Sequence, residues 1–482
     1  VQRLLLRSIP FPSFITSHSI IDLLQLGLFI GLNVIFASGR VQYSTDFDRY
    51  GYLTISNGGL ALLFGARNNL FSVIARSPSA RLLTYHRWTG RAAIFYASLH
   101  LYGESRDWIK NAETSTVFTN MRIQVGIMAW LSLAIIFITS ISIIRRLQFE
   151  VFYYAHALFL LFIIGAFIHA DHAPEFLLPG LCLWVGDRVV RFTRNFRRIQ
   201  VTSITQYSGG VTKIKVRGLQ TSYPGQIAWI QIRDVSFLNW HPFTVFSTPG
   251  GDEATLLIRS LGGYTRRLHE LMKEKASLSN TETQTPFQVR ICADGPYGVG
   301  RTLWELYPII GIVAGGVGIT PGISIISHII QLAITTREVS EASQRWHIHL
   351  LWIIKDEEHM EWCSEELRIL SDMTRPSNLG VRFNLAIAVT RSANSQPDRA
   401  NNHDYIALHE QTQGNRQVHG TLIRGRPDIT EWFRDLRSTQ DGLRGAVGVC
   451  GPRSLINTVR TAAAKAGGGE GNFHLEEEVF EF

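Results

Sequence analysis

Apolar residues crowd into the first 192 or so positions, in runs long enough to cross a membrane, and thin out beyond them. About 20 apolar residues span a hydrocarbon core as a helix. Six stretches meet or approach that length: 16–37, 51–74, 82–102, 122–144, 150–170 and 174–192. The second and sixth are the weakest, because one carries Asn57 and Arg67-Asn68-Asn69 and the other Asp187. From about 199 the pattern turns to short alternating segments punctuated by Gly and Pro: Gln200–Ile204, Val211–Val216, Ile227–Ile232, Thr244–Ser247, Thr255–Arg259 and Val289–Cys292. That spacing predicts a small antiparallel β-barrel. After 304 longer strands alternate with helices, at Ile309–Val313, His347–Ile354, Arg382–Val389 and Ala446–Val449. This is the pattern of a doubly wound α/β parallel sheet. The expected divisions are a transmembrane α-helical bundle over 1–195, a barrel over 196–303 and an α/β domain over 304–482. Residues 392–419 are polar and irregular and read as a flexible insertion.

Charge orients the spans. Arg76 and Arg81 follow the second, Arg145 and Arg146 the fourth, and Arg188, Arg191, Arg194, Arg197 and Arg198 cluster at the end of the sixth. The Asp171–Glu175 link holds no Lys or Arg. Basic residues favour the cytosolic side, so both termini and the second half are expected there. The net charge of +8 then marks a membrane surface and lipid headgroups rather than nucleic acid. Mean hydropathy of +0.07 averages two unlike halves. Cys182, Cys292, Cys363 and Cys450 form no CxxC pair, which argues against a disulfide framework or a zinc site. The first residue is Val1, so the start reads as a fragment or a processed end, with no signal peptide.

Ionisable side chains at membrane depth mark function. Spans three and five each carry two histidines, His86 and His100, then His156 and His169. One span separates them, so they run parallel, and His86 falls level with His156 and His100 with His169. Neutral imidazole is a common ligand of metals and of haem iron, so two metal centres stacked across the bilayer are expected. Fourteen residues separate His86 from His100, about 40° short of four helical turns, so those two share a face. Thirteen separate His156 from His169, about 140° short, and the fifth helix must bend or rewind to align them. His172 overshoots by about 160° and lies in the outer link beyond Asp171. Arg87 and Arg91 follow His86, placed to snorkel or to meet an anionic group.

The second half holds phosphate-cradling patterns. His241-Pro242-Phe243-Thr244 is followed by Arg259-Ser260-Leu261-Gly262-Gly263-Tyr264-Thr265, with a helix expected over Arg266–Lys273. The strand Ile309–Val313 runs into Ala314-Gly315-Gly316-Val317-Gly318-Ile319-Thr320-Pro321, a glycine turn where dinucleotide phosphates bind. Lys355, Arg391 and Arg426 fall at the carboxyl ends of strands or in a loop there, as a 2′-phosphate requires, and Cys450-Gly451-Pro452 closes the last strand.

In order and spacing these motifs, with Asp294-Gly295-Pro296-Tyr297-Gly298, resemble the ferric reductase and NADPH oxidase superfamily over about residues 20–482. Within it, Tyr85-His86-Arg87-Trp88-Thr89-Gly90-Arg91 and the run from Phe149-Glu150 to His156 are most similar to fungal ferric reductases. The resemblance implies a six-helix haem domain followed by a cytosolic ferredoxin-NADP reductase-like module. It implies two haems b, an inner one on His86 and His156 and an outer one on His100 and His169. It implies FAD along His241, Pro242, Phe243 and Thr244, with Thr244 near N5 and Arg259, Gly262, Gly263 and Thr265 on its phosphates. NADPH would lie on Gly315, Gly316, Gly318, Thr320 and Pro321, with Cys450, Gly451 and Pro452 approaching the nicotinamide. Thr244 and Cys450 are the expected catalytic positions. Phe482 stands where the family's last aromatic shields the flavin, often a Trp.

The implied activity is transmembrane reduction of a ferric or cupric ion or chelate by cytosolic NADPH, in the plasma membrane or alternatively a vacuolar or other endomembrane. One rival is an oxidase whose outer haem reduces O₂ to superoxide. Another is a transporter or receptor with a nucleotide-binding tail, which leaves the histidine pairs and flavin motifs unexplained. Glu104, Asp107, Glu113, Asp171 and Glu175 in the outer links form no evident metal site and read equally as solvated carboxylates. Oligomeric state is left open.

Overall fold

The computed structural model describes residues 20–38, 47–69, 71, 79–112, 114–194, 199–236, 239–279, 289–298, 302–337, 346–375, 379–391, 406–407, 420–438, 444–466 and 473–478. The insertion at 392–419, apart from Ile406–Ala407, and Phe482 lie outside them. The chain divides into two compact units, one reaching Val189 and the other running from Val190, with the short segment Phe71–Pro78 assigned to the second.

The first unit is helical. Its long elements are α1 (Ile20–Ser38), α2 (Asp48–Gly65), α3 (Ser79–Lys110), α4 (Met121–Thr139), α5 (Phe149–Ala155) continued by α6 (Phe159–His169), and α7, which runs Ala173–Arg194 and ends in the second unit. Met121–Thr139 and Phe149–His169 have mean hydropathies of 1.9 and 2.2, yet only 11% and 22% of those windows are buried. An apolar helix that its own protein leaves uncovered needs lipid as its solvent. The helix over Gly316–Thr336 is nearly as apolar, at 1.7, but 72% buried, so it is a core helix of the second unit. By length and composition α2, α3 and α7 do not qualify, and α1 holds only the shorter apolar stretch Leu23–Ser38.

Polar residues explain the weaker spans. α2 ends at Gly65, nine residues before the expected boundary, and Arg67 and Asn68 form a bend. The Asn68 backbone N–H and Nδ2 both donate to Asp187 Oδ1, at 2.8 and 2.7 Å. Asn57 Nδ2 donates to Asn33 Oδ1 at 2.8 Å and to the Leu53 carbonyl at 2.9 Å. Buried polar groups in this bundle thus bond to one another across elements.

The second unit begins with two antiparallel three-stranded sheets. One orders β1 (Gln200–Tyr207), β2 (Val211–Arg217) and β5 (Glu253–Arg259) as β1-β2-β5; the other orders β3 (Ile227–Ile232), β4 (His241–Thr244) and β6 (Ile291–Tyr297) as β4-β3-β6. The expected strand at Thr244–Ser247 lies earlier, on His241–Thr244, where it pairs with Ile227–Ile230. Helix α8 follows over Gly263–Ser279. The remainder is one sheet: β7 (Ile309–Gly315), β8 (Trp346–Ile354), β9 (Val381–Val389), β10 (Ile406–Ala407), β11 (Thr421–Arg424), β12 (Gly445–Cys450) and β13 (Phe473–Glu478), ordered β10-β11-β9-β8-β7-β12-β13. All its pairs are parallel except β10 with β11. α9 (Ile319–Arg337), α10 (Ser364–Thr374), α11 (Ile429–Ser438) and α12 (Arg453–Ala466) cover it. Buried Ile, Leu and Trp side chains line one face with α9, and Ile309, Val313, Phe433 and Val459 lie in the core of the other.

Lys213 on β2 and Glu366 on α10 form an ion pair at 2.9 Å, each side chain only 3% exposed, between barrel and nucleotide sheet. Removing one partner strands a buried charge and costs about 3–5 kcal/mol. The neighbouring pair Lys215–Glu365 is at 2.7 Å but Glu365 is half exposed, and such pairs contribute about 0–1 kcal/mol. Glu366→Ala is therefore expected to lower the thermal midpoint of the purified protein clearly, and Glu365→Ala hardly at all. Equal melting of the two variants would contradict the assignment.

Candidate functional site

The four histidines of the first unit pair as their spacing requires. His86 and His156 have ring centres 5.9 Å apart, and His100 and His169 6.0 Å. At metal–nitrogen bonds of about 2.0 Å, two imidazoles sharing one ion stand with ring centres roughly 6 Å apart. The residues present therefore fit two bis-imidazole iron centres. His172 is turned elsewhere, with Nδ1 2.9 Å from Glu175 Oε1. A 3-10 turn at His156–Leu158 between α5 and α6 contributes to the alignment of His156 with His169. Three residues wound at about 120° rather than about 100° recover roughly 60° of the 140° shortfall.

Three of the rings are pinned from behind by a neighbouring helix. His86 Nδ1 lies 2.8 Å from the Ala61 carbonyl, His100 Nδ1 2.9 Å from that of Phe47, and His169 Nδ1 2.9 Å from that of Arg122. A carbonyl only accepts, so each Nδ1 donates its proton and each Nε2 is left as the free ligand. Four residues past each carbonyl stands a glycine: Gly65, Gly51 and Gly126. A Cβ on Gly126 would lie 2.6 Å from His169 Nδ1, one on Gly65 3.2 Å from His86 Nδ1, and one on Gly51 3.6 Å from the His100 ring. At Gly126, and more mildly at Gly65, bare backbone lets the imidazole reach a carbonyl already used within its helix, whereas a Cβ at Gly51 would make ordinary contact with the ring. The signal was in the sequence: Gly51 and Gly65 are 14 residues apart, as are His86 and His100.

In the second unit the His241 and Tyr264 rings stack at 4.0 Å between centres. The Ile232 backbone N–H donates to the Tyr264 hydroxyl at 3.0 Å. Burial pushes the Tyr264 phenol up to about 12 and His241 down to about 4, so both are neutral. Thr244 is 5% exposed and its hydroxyl has no partner among the described residues, a polar group held ready for a ligand. α8 starts at Gly263, three residues before the expected start, so Gly262 and Gly263 form its entry. The Thr265 hydroxyl turns inward and accepts from the Leu261 and Gly262 N–H groups at 3.0 and 2.9 Å. The groups at this turn left to meet an anion are the first-turn amides beyond Gly262 and Arg259.

Sequence position gave no role to Asp294. It is 1% exposed, bonded to the Tyr297 hydroxyl, and accepts from Arg191 Nε at 2.8 Å. Arg191, expected as a member of the juxtamembrane basic cluster, is held by this buried carboxylate.

β7 and β12 are adjacent and parallel, with Ala314 opposite Cys450, and β8 leaves β7 on the other side. The sheet changes direction of winding there, and ligands bind at such a switch point outside the carboxyl ends. Gly315 and Gly316 enter a 3-10 turn, Gly316 at φ +58°, and Pro321 lies in the first turn of α9. Trp352 Nε1 donates to the Gly316 carbonyl at 2.9 Å, and the buried Thr320 hydroxyl to that of Val317 at 3.2 Å. A Cβ on Gly318 would stand 2.6 Å from the Cys450 carbonyl oxygen, and one on Gly315 3.0 Å from Pro452 Cδ. The two glycine turns are thus in contact. A Cβ on Gly316 would lie 4.0 Å from Arg259 Nη1, which brings the two phosphate motifs together. Lys355 and Arg391 are neighbours, since the Arg391 N–H donates to the Lys355 carbonyl at 2.8 Å. Gly425 donates to the Val389 carbonyl at 2.8 Å, which sets the exposed Arg426 at the same edge.

Three family models match in series: "Ferric reductase like transmembrane component" over 50–167, "FAD-binding domain" over 196–301 and "Ferric reductase NAD binding domain" over 307–464. The chain belongs to the ferric reductase and NADPH oxidase superfamily, and it is a membrane protein with FAD- and NAD-binding domains. It is 26% identical over 476 residues to "Ferric/cupric reductase transmembrane component 1" of Candida albicans, covering 92% of this chain and 59% of that protein. It is 25% identical to "Ferric reduction oxidase 7, chloroplastic" of Arabidopsis thaliana, covering 69% and 45%. "NADPH oxidase 3" of Homo sapiens is also 25% identical, over 70% of this chain and 65% of that protein. The chain thus spans about half the length of the first two.

The depressed His241 predicts an acid sensitivity. Below about pH 6.5 the unfolded chain binds a proton at His241 that the folded chain refuses, so stability falls as pH drops and levels near the folded value of about 4. In flavin-free protein His241→Gln should flatten that part of the curve of urea midpoint against pH. An unchanged slope would mean that His241 is not held neutral.

Proposed function

We propose that the chain is a transmembrane metalloreductase, with NADPH as donor on the cytosolic side and a ferric or cupric ion or its chelate as acceptor on the other. Its resident cofactors are then FAD and two haems b. The observation that carries this reading is the stacking of two imidazole pairs, 5.9 and 6.0 Å between ring centres, in one apolar bundle. When bound, these groups supply the electron transfer: a hydride donor, a flavin that takes two electrons and releases them singly, and iron that takes one at a time.

The side chains bind and orient. Nε2 of His86, His100 and His169 is presented by the carbonyl behind each ring. The unpartnered Thr244 hydroxyl offers a hydrogen bond at the flavin's N5 edge. Arg259 and the start of α8 hold the flavin phosphates, and Gly315, Gly316, Gly318, Thr320 and Pro321 let the NADPH phosphates approach the backbone. Cys450, Gly451 and Pro452 border the nicotinamide position. Lys355, Arg391 and Arg426 supply positive charge for a 2′-phosphate.

A metal acceptor rather than O₂ is favoured by charge at the outer pair. Asp48 and Glu104 lie with His100 so that their ligand atoms fall within 4.8 Å of one another. Carboxylates there attract a hard cation and do nothing for dioxygen. The arginine-bearing links favour a cytosolic flavin side.

Arg426→Ala should raise KM for NADPH and leave that for NADH nearly unchanged, because only the phosphate contact is lost. Equal effects on both nucleotides would reject Arg426 as a phosphate ligand. In sealed vesicles with NADPH supplied on the cytosolic face, an impermeant ferrous trap should colour only on the other side. Reduction should persist without oxygen and in the presence of superoxide dismutase. Strict dependence on O₂, with loss of signal on adding dismutase, would favour the oxidase reading.

A further inference from the structure

The four histidines share one packing problem, and one of them solves it differently. His86, His100 and His169 each donate Nδ1–H to a helix carbonyl four residues before a glycine. α4 packs antiparallel to α6: the His169 ring lies against Gly126, and Gly165 against Val125 and Ala129. Continued along the pair, that register sets the 3-10 turn at His156 against the end of α4, near Ile136–Ser140. The position that corresponds to Gly126, fourteen residues on, is Ser140. Its N–H donates to the Ile136 carbonyl at 3.0 Å, so that carbonyl is the counterpart of Arg122's. Where the other three sites have bare backbone, this one carries a hydroxymethyl group. His156 Nδ1 and Ser140 Oγ are both buried, and neither has a hydrogen-bond partner among the described residues.

We propose that Ser140 is the positioning residue of the inner site, its hydroxyl accepting the Nδ1–H of His156 where a carbonyl serves the other three histidines. The inference rests on the two-haem reading above. The acceptor behind an axial imidazole sets how strongly that ring donates to the iron, and a hydroxyl draws on Nδ1–H less than a peptide carbonyl does. Ser140 therefore sets the orientation and donor strength of one ligand of the inner pair only.

The test is a spectroelectrochemical titration of the purified, haem-loaded protein, reading two one-electron waves in the haem absorbance. The inner wave is identified as the one missing from His156→Ala. Ser140→Ala removes the acceptor and keeps the Cβ, so the inner wave should move to higher potential and the outer stay. Ser140→Gly uncovers the carbonyl, makes the site like the other three, and should move the inner wave to lower potential. Ser140→Thr keeps the hydroxyl and should hold it near its original place. An inner wave that stays put in the Ala variant, or moves the same way in Ala and Gly, overturns the role of Ser140. A parent protein with fewer than two waves overturns the two-haem reading itself.

Discussion

The bundle depends on the hydrogen bond that three of its four paired imidazoles make behind themselves. A histidine at membrane depth carries a donor and an acceptor that lipid cannot satisfy. Here a helix carbonyl takes the Nδ1 proton of His86, His100 and His169, so the ring is fixed in one tautomer, with its other nitrogen left as the acceptor and a partner imidazole about 6 Å away between ring centres. Much else follows. α2 must lie close to α3 along its length, with Gly51 and Gly65 against His100 and His86, and α4 must lie close to α6 at Gly126. The 3-10 turn at His156 is a local rewinding that turns the fifth span's two histidines toward the alignment seen in the third.

The second unit applies a different constraint to the same end. Its sheet is doubly wound about β7, so the carboxyl ends of β7 and β12 meet and their glycine turns touch. The absence of side chains at Gly315 and Gly318 is what allows the contact. Barrel and sheet are tied by the buried Lys213–Glu366 pair, and Arg259 of the barrel reaches toward Gly316 of the sheet. One ligand-binding edge is thereby assembled from segments far apart in the chain.

Polarity in each unit is placed by what surrounds it. In the bundle, Asn33, Asn57, Asn68 and Asp187 bond across helices, and the lipid-facing surfaces are left to Leu, Ile and Phe. In the soluble unit the buried carboxylate Asp294 holds Arg191, which local composition had assigned to a basic surface cluster. The same residue type thus serves as a surface charge or a structural pin according to the carboxylate that folding brings beside it.

Sequence by itself determined the classes of element, their order, the pairing of histidines and the position of the glycine turns. Those features rest on local periodicity and on motifs short enough to read in a window: apolar runs, His86 and His100 fourteen apart, and the glycine turn after Ile309–Val313. Element edges were read less well, as with α2 ending at Gly65 and β4 lying on His241–Thr244, because capping and pairing partners come from elsewhere in the chain. Only tertiary structure decided which backbone carbonyl stands behind each histidine, that the Thr265 hydroxyl closes its own loop, and that Lys213 finds Glu366 153 residues away. Those are choices among many chemically equivalent partners. A periodicity cannot distinguish them, because the partner is selected by close packing, and packing is a property of the folded chain.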